Sequence, residues 1–388
     1  MSENAYRDLE LYIHIPFCVR KCLYCDFLSQ PADRETQDSY MEALLQEVGG
    51  RSEECLDYRV VSVFVGGGTP SVVDPVWIER LMETIRAGYR LCENAEITME
   101  LNPGTATKEA LIMYKAAGIN RLSIGLQATE DELLKKIGRI HDWNTFCNTY
   151  RLAREAGFSN INVDMMSGLP GQDRESYVRG LTKVCTLPDP PEHISAYGLI
   201  VEENTPLCKM VEEGTISLPD EDAERDMYAD TEQILKQYGY ERYEISNYAR
   251  EGFRCRHNIG YWTQVSYLGL GIGAASFMDQ IRFGNKENLQ EYVKHPLECR
   301  AVESVVDRKG QMEEFCFLGL RLTEGISENR FFSRFGQKLD VVYGKVIRQN
   351  CLDGLLEWVK KTEEDDRRLR LTARGLDLAN YVMAQFLL

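Results

Sequence analysis

Six short apolar runs, each followed by a helical pattern, occupy the first half of this 388-residue chain. Such alternation is typical of parallel strands joined by right-handed helical crossovers. It predicts an open doubly wound sheet or a partial barrel, and in both the binding site lies at the carboxyl ends of the strands. The predicted strands are 10–15, 59–65, 95–100, 119–124, 159–164 and 193–199, and the predicted helices are 36–48, 74–88, 107–117, 130–137, 143–156 and 174–186.

The remainder of the chain follows other patterns. A long helix is predicted over 219–238, and the aromatic- and glycine-rich segment 243–285 is predicted to be irregular. The last 90 residues indicate three helices, a hairpin with strands near 355–359 and 369–371 around a charged turn, and a final helix. That order is typical of a winged-helix domain. We therefore expect three parts: a core at 1–215, an extension completing the site at 216–299, and a C-terminal domain at 300–388.

Charge argues against a nucleic-acid partner. The chain has 61 acidic and 45 basic residues, a net charge of −16, and its last 88 residues contain 14 of each without a basic stripe. A nucleic-acid surface carries clustered positive charge, so we expect none here. The polar N-terminus and the lack of a long apolar run predict a cytoplasmic protein, with any membrane contact peripheral.

Three of the twelve cysteines lie within one octapeptide, Cys18-Val-Arg-Lys-Cys22-Leu-Tyr-Cys25, and the other nine are far apart. In a reducing compartment, closely spaced thiols indicate an inorganic centre rather than disulfides. Sulfur ligands select zinc, copper(I) or iron–sulfur. A zinc site would need a fourth ligand, for which His14 is the nearest candidate, although a role within the first strand is favoured for it. Three thiolates suit a four-iron cluster with one open iron.

The sequence Tyr12-Ile-His-Ile-Pro-Phe-Cys18, with the CxxxCxxC spacing that it begins, resembles the radical S-adenosylmethionine superfamily, in the branch of oxygen-independent coproporphyrinogen oxidases. The resemblance implies an α/β fold class, a partial (β/α)6 barrel of radical SAM type with a C-terminal α+β winged-helix-like domain. It also implies that Cys18, Cys22 and Cys25 ligate a [4Fe-4S] cluster. In that superfamily the open iron chelates S-adenosylmethionine, which is cleaved after an electron donor reduces the cluster.

Polar residues and glycines follow the predicted strands. The run Gly66-Gly67-Gly68-Thr69 after the second strand lets backbone amides approach a carboxylate, although a tight turn uses the same residues. Glu100 ends the third strand, where it is either a cofactor ligand or a surface acid. The resemblance implies cofactor contacts from Tyr12, Tyr24, Gly67, Gly68, Thr69, Glu100, Gln127, Arg139, Asp164, Gly198 and Ala275.

A second motif, Cys255-Arg-His257-Asn258-Ile-Gly-Tyr261-Trp262, resembles the HNxxYW signature of the haem chaperones in the same branch. Neutral imidazole ligates haem iron, and aromatic rings offer flat apolar faces to a macrocycle. The residues alone favour a buried aromatic cluster in which His257 is an internal hydrogen-bond partner. The resemblance implies haem binding by His257, Asn258, Tyr261 and Trp262, with Cys255 as a weaker ligand candidate and Arg256 as the first candidate for binding haem propionates.

Two departures separate the chain from the oxidases proper. They have a cysteine where this chain has Phe27, and a longer segment before the cluster loop, where this chain has 17 residues. The leading hypothesis is therefore a haem chaperone that binds the cluster, S-adenosylmethionine and haem as its cargo, and delivers haem to acceptor apoproteins. A coproporphyrinogen III dehydrogenase, a radical methyltransferase and a structural iron–sulfur protein remain alternatives. Enzymatic activity is left open, and coproporphyrinogen oxidation is not expected.

Overall fold

Six parallel strands form the centre of the molecule. The computed structural model describes residues 6–361 and 366–387. All six strands predicted from the first half of the sequence are confirmed, and consecutive strands pair in parallel. They are β1 (Arg7–Ile15), β2 (Tyr58–Gly67), β3 (Leu91–Leu101), β4 (Arg121–Gln127), β5 (Ile161–Ser167) and β6 (His193–Gly198).

The predicted crossover helices are also confirmed, and most begin where a side chain can bind the first amide groups. Asp33, Asp74, Thr107, Asp142 and Asp173 each accept a hydrogen bond from a backbone N–H of the helix that follows. Such capping fixes the helix start and stabilises it by about 1 kcal/mol. The helices are α1 (Arg34–Gly50), α2 (Pro75–Gly88), α3 (Lys108–Ala116), α4 (Asp131–Lys136), α5 (Trp143–Glu155) and α6 (Arg174–Cys185).

The two faces of the parallel strands differ in chemistry. In β1, Leu11 and Ile13 belong to the hydrophobic core, while Glu10 and His14 alternate with them and are buried polar residues. Successive strand residues point to opposite faces, so the polar residues share the inner face of the barrel. Hydrogen bonds join that face across neighbouring strands, as in Glu10 with Ser62 at 3.1 Å. The barrel interior is therefore lined by polar groups that must be satisfied within it.

The segment 243–285 is regular, so its prediction as irregular is wrong. Its strand Ser266–Leu270 pairs with β1 in parallel, and the strands Ala275–Met278 and Ile281–Asn285 follow antiparallel in the same sheet. Glycines stand where a side chain would not fit, and they interrupt the alternation that would have predicted these strands. A Cβ on Gly269, for example, would lie 2.3 Å from the Ala275 carbonyl oxygen. The elements are α7 (Pro206–Glu212), α8 (Glu221–Gln237), β7 (Glu241–Arg242), β8 (Asn247–Ala249), α9 (Arg256–Thr263), β9 (Ser266–Leu270), β10 (Ala275–Met278), β11 (Ile281–Asn285), α10 (Leu289–Lys294) and β12 (Arg300–Val305).

The main sheet therefore has twelve strands, in the order β12-β11-β10-β9-β1-β2-β3-β4-β5-β6-β8-β7. Strand β12 lies within the predicted C-terminal domain at 300–388, but it pairs with β11 in the main sheet. Among the helices of the described ranges, none is both long and apolar enough to cross a bilayer.

The C-terminal part has a hydrophobic core of its own and the predicted order of helices around a hairpin. Its small sheet has the order β13-β15-β14, and the charged turn predicted within the hairpin lies outside the described residues. Two ion pairs connect the C-terminal part to the rest of the chain: Arg321–Glu244 at 3.6 Å and Arg282–Glu314 at 2.7 Å. The elements are α11 (Arg308–Gly319), β13 (Ile326–Ser327), α12 (Glu328–Phe335), α13 (Leu339–Leu352), β14 (Leu356–Lys361), β15 (Asp366–Leu371), α14 (Ala373–Asp377) and α15 (Ala379–Ala384).

Candidate functional site

The loop that carries the three clustered cysteines follows β1 and is closed on itself. The Cys18 amide donates to the Gln30 carbonyl at 3.1 Å, and the Gln30 amide donates to the Pro16 carbonyl at 2.9 Å. The Cys18 Sγ lies 3.4 Å from the Thr69 hydroxyl at the end of β2. Cys18, Cys22 and Cys25 are all half-buried and form no disulfide. The loop therefore presents three accessible thiols at the carboxyl end of the sheet.

The glycine run after β2 holds this loop against the sheet. The Gly68 amide donates to the Ile15 carbonyl at 2.9 Å. A Cβ on Gly68 would lie 2.6 Å from the Phe17 carbonyl oxygen, and Gly67 has a φ of +103°, which favours glycine. These amides are bonded within the protein, the Gly67 amide to Glu100 at 3.1 Å and the Thr69 amide to the Phe17 carbonyl at 2.7 Å, which favours the tight-turn alternative for the glycine run.

Arg139 connects the cysteine loop to two strand ends. Its guanidinium donates to the Asn102 side-chain oxygen at 2.7 Å and to the Gly125 carbonyl, and it lies 3.7 Å from the Cys22 Sγ. The structure thus places Arg139 beside one of the three cysteines.

Two carboxyl groups on the parallel strands have raised pKa values, Glu100 near the end of β3 and Asp164 in the middle of β5. Burial, with repulsion from Asp164 as a smaller cause, raises the pKa of Glu100 to about 7. Burial also raises the pKa of Asp164, although Asn162 donates to it at 2.7 Å. Next to them, Gln127 has a φ of +69°, which residues with a Cβ rarely adopt, and its buried side-chain oxygen has no hydrogen-bond partner in the protein. Strain and unsatisfied polar atoms of this kind are typical of binding sites.

A cavity of about 580 Å³ lies between these strand ends and the HNxxYW helix. Its wall comes from β1, the cysteine loop, β2, β3, α9, β9, β10, β11 and α11, and much of it is aromatic. The volume falls within the range of about 300–1,000 Å³ usual for small-molecule sites. The cavity brings together six of the residues singled out in the sequence: Tyr12, Gly67, Glu100, Tyr261, Trp262 and Ala275.

Other candidates lie off the cavity wall. Tyr24 packs against a small apolar cluster that includes Leu133 and Leu169. Gly198 is exposed at the end of β6, where a Cβ would approach only the Ser167 hydroxyl, at 4.0 Å. Asn258 is half-buried on α9. The structure therefore does not unite every candidate contact in one pocket.

Helix α9 is held in the barrel by a carboxylate that the sequence interpretation missed. The buried Glu96 of β3 accepts hydrogen bonds from the amides of Arg256 at 3.0 Å and His257 at 3.2 Å, and from the Cys255 thiol at 3.4 Å. Burial, opposed by the charge of Arg121, raises the pKa of Cys255 to about 12. Being buried and bonded to Glu96, Cys255 is not placed to ligate a molecule in the cavity, contrary to the expectation.

Arg256 is also turned away from the cavity. It is exposed, and its guanidinium donates to the Asn94 carbonyl. The guanidinium on the cavity wall is that of Arg282, a residue of β11 to which the sequence assigned no role. The expectation that Arg256 is the first positive charge for an anionic ligand is therefore wrong.

His257 lies behind the cavity wall, with both ring nitrogens hydrogen-bonded. Its Nδ1 is 2.8 Å from the Ser62 hydroxyl and its Nε2 is 3.0 Å from the Tyr261 hydroxyl. The ring stacks on Phe64 with a centroid separation of 5.1 Å. Burial, with the charge of Arg121 as a smaller cause, lowers the pKa of His257 to about 3, so the imidazole is neutral. His257 is thus the internal hydrogen-bond partner of an aromatic cluster, and Tyr261 stands between it and the cavity.

The missed residues differ in whether the sequence carried a signal for them. Glu10, Ser62 and Glu96 alternate with apolar residues in predicted strands, so a period of two would have assigned them to the inner face. Arg282 and Glu314 have no such local signal, because β11 and α11 meet only in the folded chain.

Comparisons with known proteins agree with this architecture. Residues 12–180 match the model of the radical SAM superfamily, and residues 306–378 match that of the HemN C-terminal domain. The heme chaperone HemW of Lactococcus lactis is 35% identical over 378 residues, 97% of either chain. HemW of Escherichia coli is 36% identical over 365 residues, covering 92% of this chain and 94% of its own.

The chain belongs to the HemW family. The structure of the Escherichia coli coproporphyrinogen III oxidase HemN, described as a radical SAM enzyme, covers 99% of this chain and 91% of its own with a TM-score of 0.83. At 24% identity this similarity shows the fold alone. The predicted α/β fold class is thereby confirmed, and the HemW family shares its fold with the oxidase.

Accessibility of the cysteines provides a direct test of this site. In native, cluster-free protein at pH 8, we expect iodoacetamide to label Cys18 and Cys22 as readily as the half-buried Cys208. Cys255 and Cys316 should stay unlabelled until the protein is denatured, because burial blocks access and raises their pKa values. Peptide mass spectrometry follows each site. Labelling of Cys255 at the rate of Cys18 would contradict its buried position against Glu96.

Proposed function

We propose that this chain is a haem chaperone that holds an iron–sulfur cluster and S-adenosylmethionine beside its haem cargo. The observation that carries the proposal is the single cavity bounded by Glu100 at the strand ends and by Tyr261 and Trp262 of the HNxxYW helix. The relatives that match nearly the whole chain are named heme chaperones, which supports the same function.

The cysteine loop suits a [4Fe-4S] cluster. Three thiols on one loop, beside the guanidinium of Arg139, form a sulfur-only donor set with a neighbouring cation. Within the described ranges, no three His, Cys, Asp or Glu side chains converge on a single ion. A cubane does not require this, since each thiolate binds a different iron. Cys18, Cys22 and Cys25 would hold the cluster, which supplies an open iron and one electron when reduced.

The strand ends suit S-adenosylmethionine. The Glu100 carboxylate can accept hydrogen bonds from an amino group or from ribose hydroxyls. The buried side-chain oxygen of Gln127, which has no partner in the protein, can accept another. Exposed Ala275 and Gly198 leave room for a ligand beside the backbone. The proposed contacts are those predicted from the sequence: Tyr12, Tyr24, Gly67, Gly68, Thr69, Glu100, Gln127, Arg139, Asp164, Gly198 and Ala275. Gly67, Gly68 and Thr69 would make theirs through groups other than their backbone amides, which are bonded within the protein.

The aromatic wall suits a flat macrocycle. Tyr261 and Tyr267 meet edge to face with ring centroids 4.9 Å apart, and Phe277 continues the series at 6.3 Å. Tyr261 and Trp262 would contact haem directly, whereas Asn258, half-buried one turn earlier on α9, is not on the cavity wall. Ligation by His257 requires Tyr261 to move, because the Tyr261 hydroxyl occupies the Nε2 position at 3.0 Å.

The remaining parts of the proposal concern partners and location. Haem would pass from the cavity to acceptor apoproteins, and an electron donor would reduce the cluster. A reducing cytoplasm, with at most peripheral membrane contact, suits a chain whose twelve cysteines form no disulfide.

Haem titration tests the central part of the proposal. Anaerobically reconstituted protein should bind one haem per chain at micromolar concentration, followed by the haem absorption band. Trp262→Leu should weaken binding about fivefold, since the loss of an aromatic contact costs about 1 kcal/mol. Trp358→Leu, in the C-terminal hairpin, is the matched control. The absence of stoichiometric binding by the wild type would refute the chaperone function.

Loss of one thiol should remove the cluster. We expect Cys22→Ala to lose the intact four-iron cluster while keeping its fold, because the cysteine loop is exposed at the end of the sheet. Cys208→Ala, a change at a half-buried cysteine on α7, should keep the cluster. Iron content and electron paramagnetic resonance measure the cluster, and circular dichroism measures the fold. A full cluster in Cys22→Ala would refute the ligand assignment.

Binding of S-adenosylmethionine should depend on the ionisation of Glu100. With a pKa of about 7, Glu100 is mostly ionised at pH 8 and mostly protonated at pH 6. The carboxylate form accepts hydrogen bonds from the ligand, so affinity should fall about tenfold between these pH values. Glu100→Gln should bind weakly with little pH dependence, while the exposed Glu132→Gln should behave as wild type. Calorimetry on reconstituted protein measures both, and an unchanged pH dependence in Glu100→Gln would exclude the assignment.

A further inference from the structure

Arg282 is the cation on the cavity wall. Among the described wall residues the other basic side chain is His14, whose pKa is lowered by burial and whose ring nitrogens bond Tyr12 at 3.0 Å and the Leu28 carbonyl at 2.9 Å. The wall also carries the carboxyl groups of Glu100 and Glu314, in a chain of net charge −16. An anionic ligand in this cavity therefore meets one guanidinium and otherwise neutral or acidic groups.

The guanidinium is held in place and still accessible. It donates to Glu314 at 2.7 Å and to the Tyr267 hydroxyl at 3.3 Å, and its carbon lies 5.1 Å from the centre of the Phe277 ring. These two hydrogen bonds use two of its five N–H donors. About a third of the Arg282 side chain, 32%, is exposed, against 12% for Glu314. Arg282 is thus preorganised beside the aromatic rings with donors left for a ligand.

The partner of Arg282 is a carboxylate, and it comes from the C-terminal part of the chain. Glu314 lies on α11, while Arg282 lies on β11 of the main sheet. The second carboxylate oxygen of Glu314 lies 3.5 Å from the Gln264 side-chain nitrogen, which is longer than the 2.7 Å contact with Arg282. Arg282 is therefore the strongest partner of Glu314. Glu314 accepts from the guanidinium through one oxygen, whereas a ligand carboxylate can accept from two of its N–H groups at once. Because Glu314 already neutralises the charge of Arg282, the ligand carboxylate and Glu314 compete for one cation.

We infer that Arg282 anchors a carboxylate of the flat cargo, a propionate in the case of haem, by exchange with Glu314. This rests on the proposed function and adds the group that selects a macrocycle with carboxylates over an uncharged one. The macrocycle lies against Tyr267 and Phe277 while the carboxylate reaches Arg282. The exchange also releases an ion pair between α11 and the sheet, so cargo binding loosens the contact with the C-terminal part.

The test compares haem with its dimethyl ester, which keeps the macrocycle and removes both carboxylate charges. Arg282→Met should weaken haem binding by about tenfold or more and leave the binding of the ester unchanged. Glu314→Gln should strengthen haem binding several-fold, since it removes the competing charge, again without effect on the ester. Arg256→Met, which alters an exposed arginine away from the cavity, is the matched control. Titrations use the full-length, reconstituted protein.

The outcomes separate the anchor from the function on which it rests. If wild type binds neither haem nor its ester, the proposed function fails. If wild type binds both equally, or if Arg282→Met weakens both equally, the cavity binds macrocycles but the carboxylate anchor is refuted. If Arg282→Met fails to fold, two other variants decide. They are Arg282→Lys, which keeps the charge without the two-pronged geometry, and Glu314→Gln. Unchanged haem affinity in both would overturn the inference.

Discussion

The site depends on a buried carboxylate on the inner face of the barrel. Glu96 is nearly inaccessible to water, and a buried polar side chain is costly unless hydrogen bonds satisfy it. The first amides of α9 provide them, at 3.0 and 3.2 Å, and the fully buried Arg121 adds favourable charge. The need to satisfy Glu96 thus holds α9 in the barrel and brings the aromatic end of the helix to the strand ends.

Close packing and hydrogen bonds along α9 also fix the aromatic residues at the cavity wall. Gly260 lies against Glu10 so tightly that a Cβ there would be 2.0 Å from the carboxylate oxygen. Glu10 accepts from Ser62, whose hydroxyl also contacts His257, and His257 in turn bonds Tyr261. This hydrogen-bonded series fixes Tyr261 at the cavity wall. Helix α11 then closes the far side through Glu314 and Leu318, so the C-terminal part completes the site.

The sequence predicted the central fold well, because strands and crossover helices have strong periodic patterns and capping residues. It also indicated the residues of each half of the site, from the cysteine loop and Glu100 to Tyr261 and Trp262. It could not show that one cavity joins Glu100 to Tyr261 and Trp262, since the wall includes β9–β11, whose glycines obscure their pattern, and α11, which is distant in the chain. For the same reason it favoured Arg256, adjacent to the motif, over Arg282. The glycine run was compatible with either carboxylate binding or a tight turn, and the structure shows it packed closely against the cysteine loop.

The position of haem iron tests the account most directly. A crystal of the reconstituted protein with ferric haem would show the cluster and the haem iron in one anomalous-scattering map. We predict the haem iron inside the cavity, with the macrocycle against Trp262, Tyr267 and Phe277 and the cluster at the cysteine loop on the same side of the sheet. Haem bound on another surface, with this cavity still empty of it, would contradict the account.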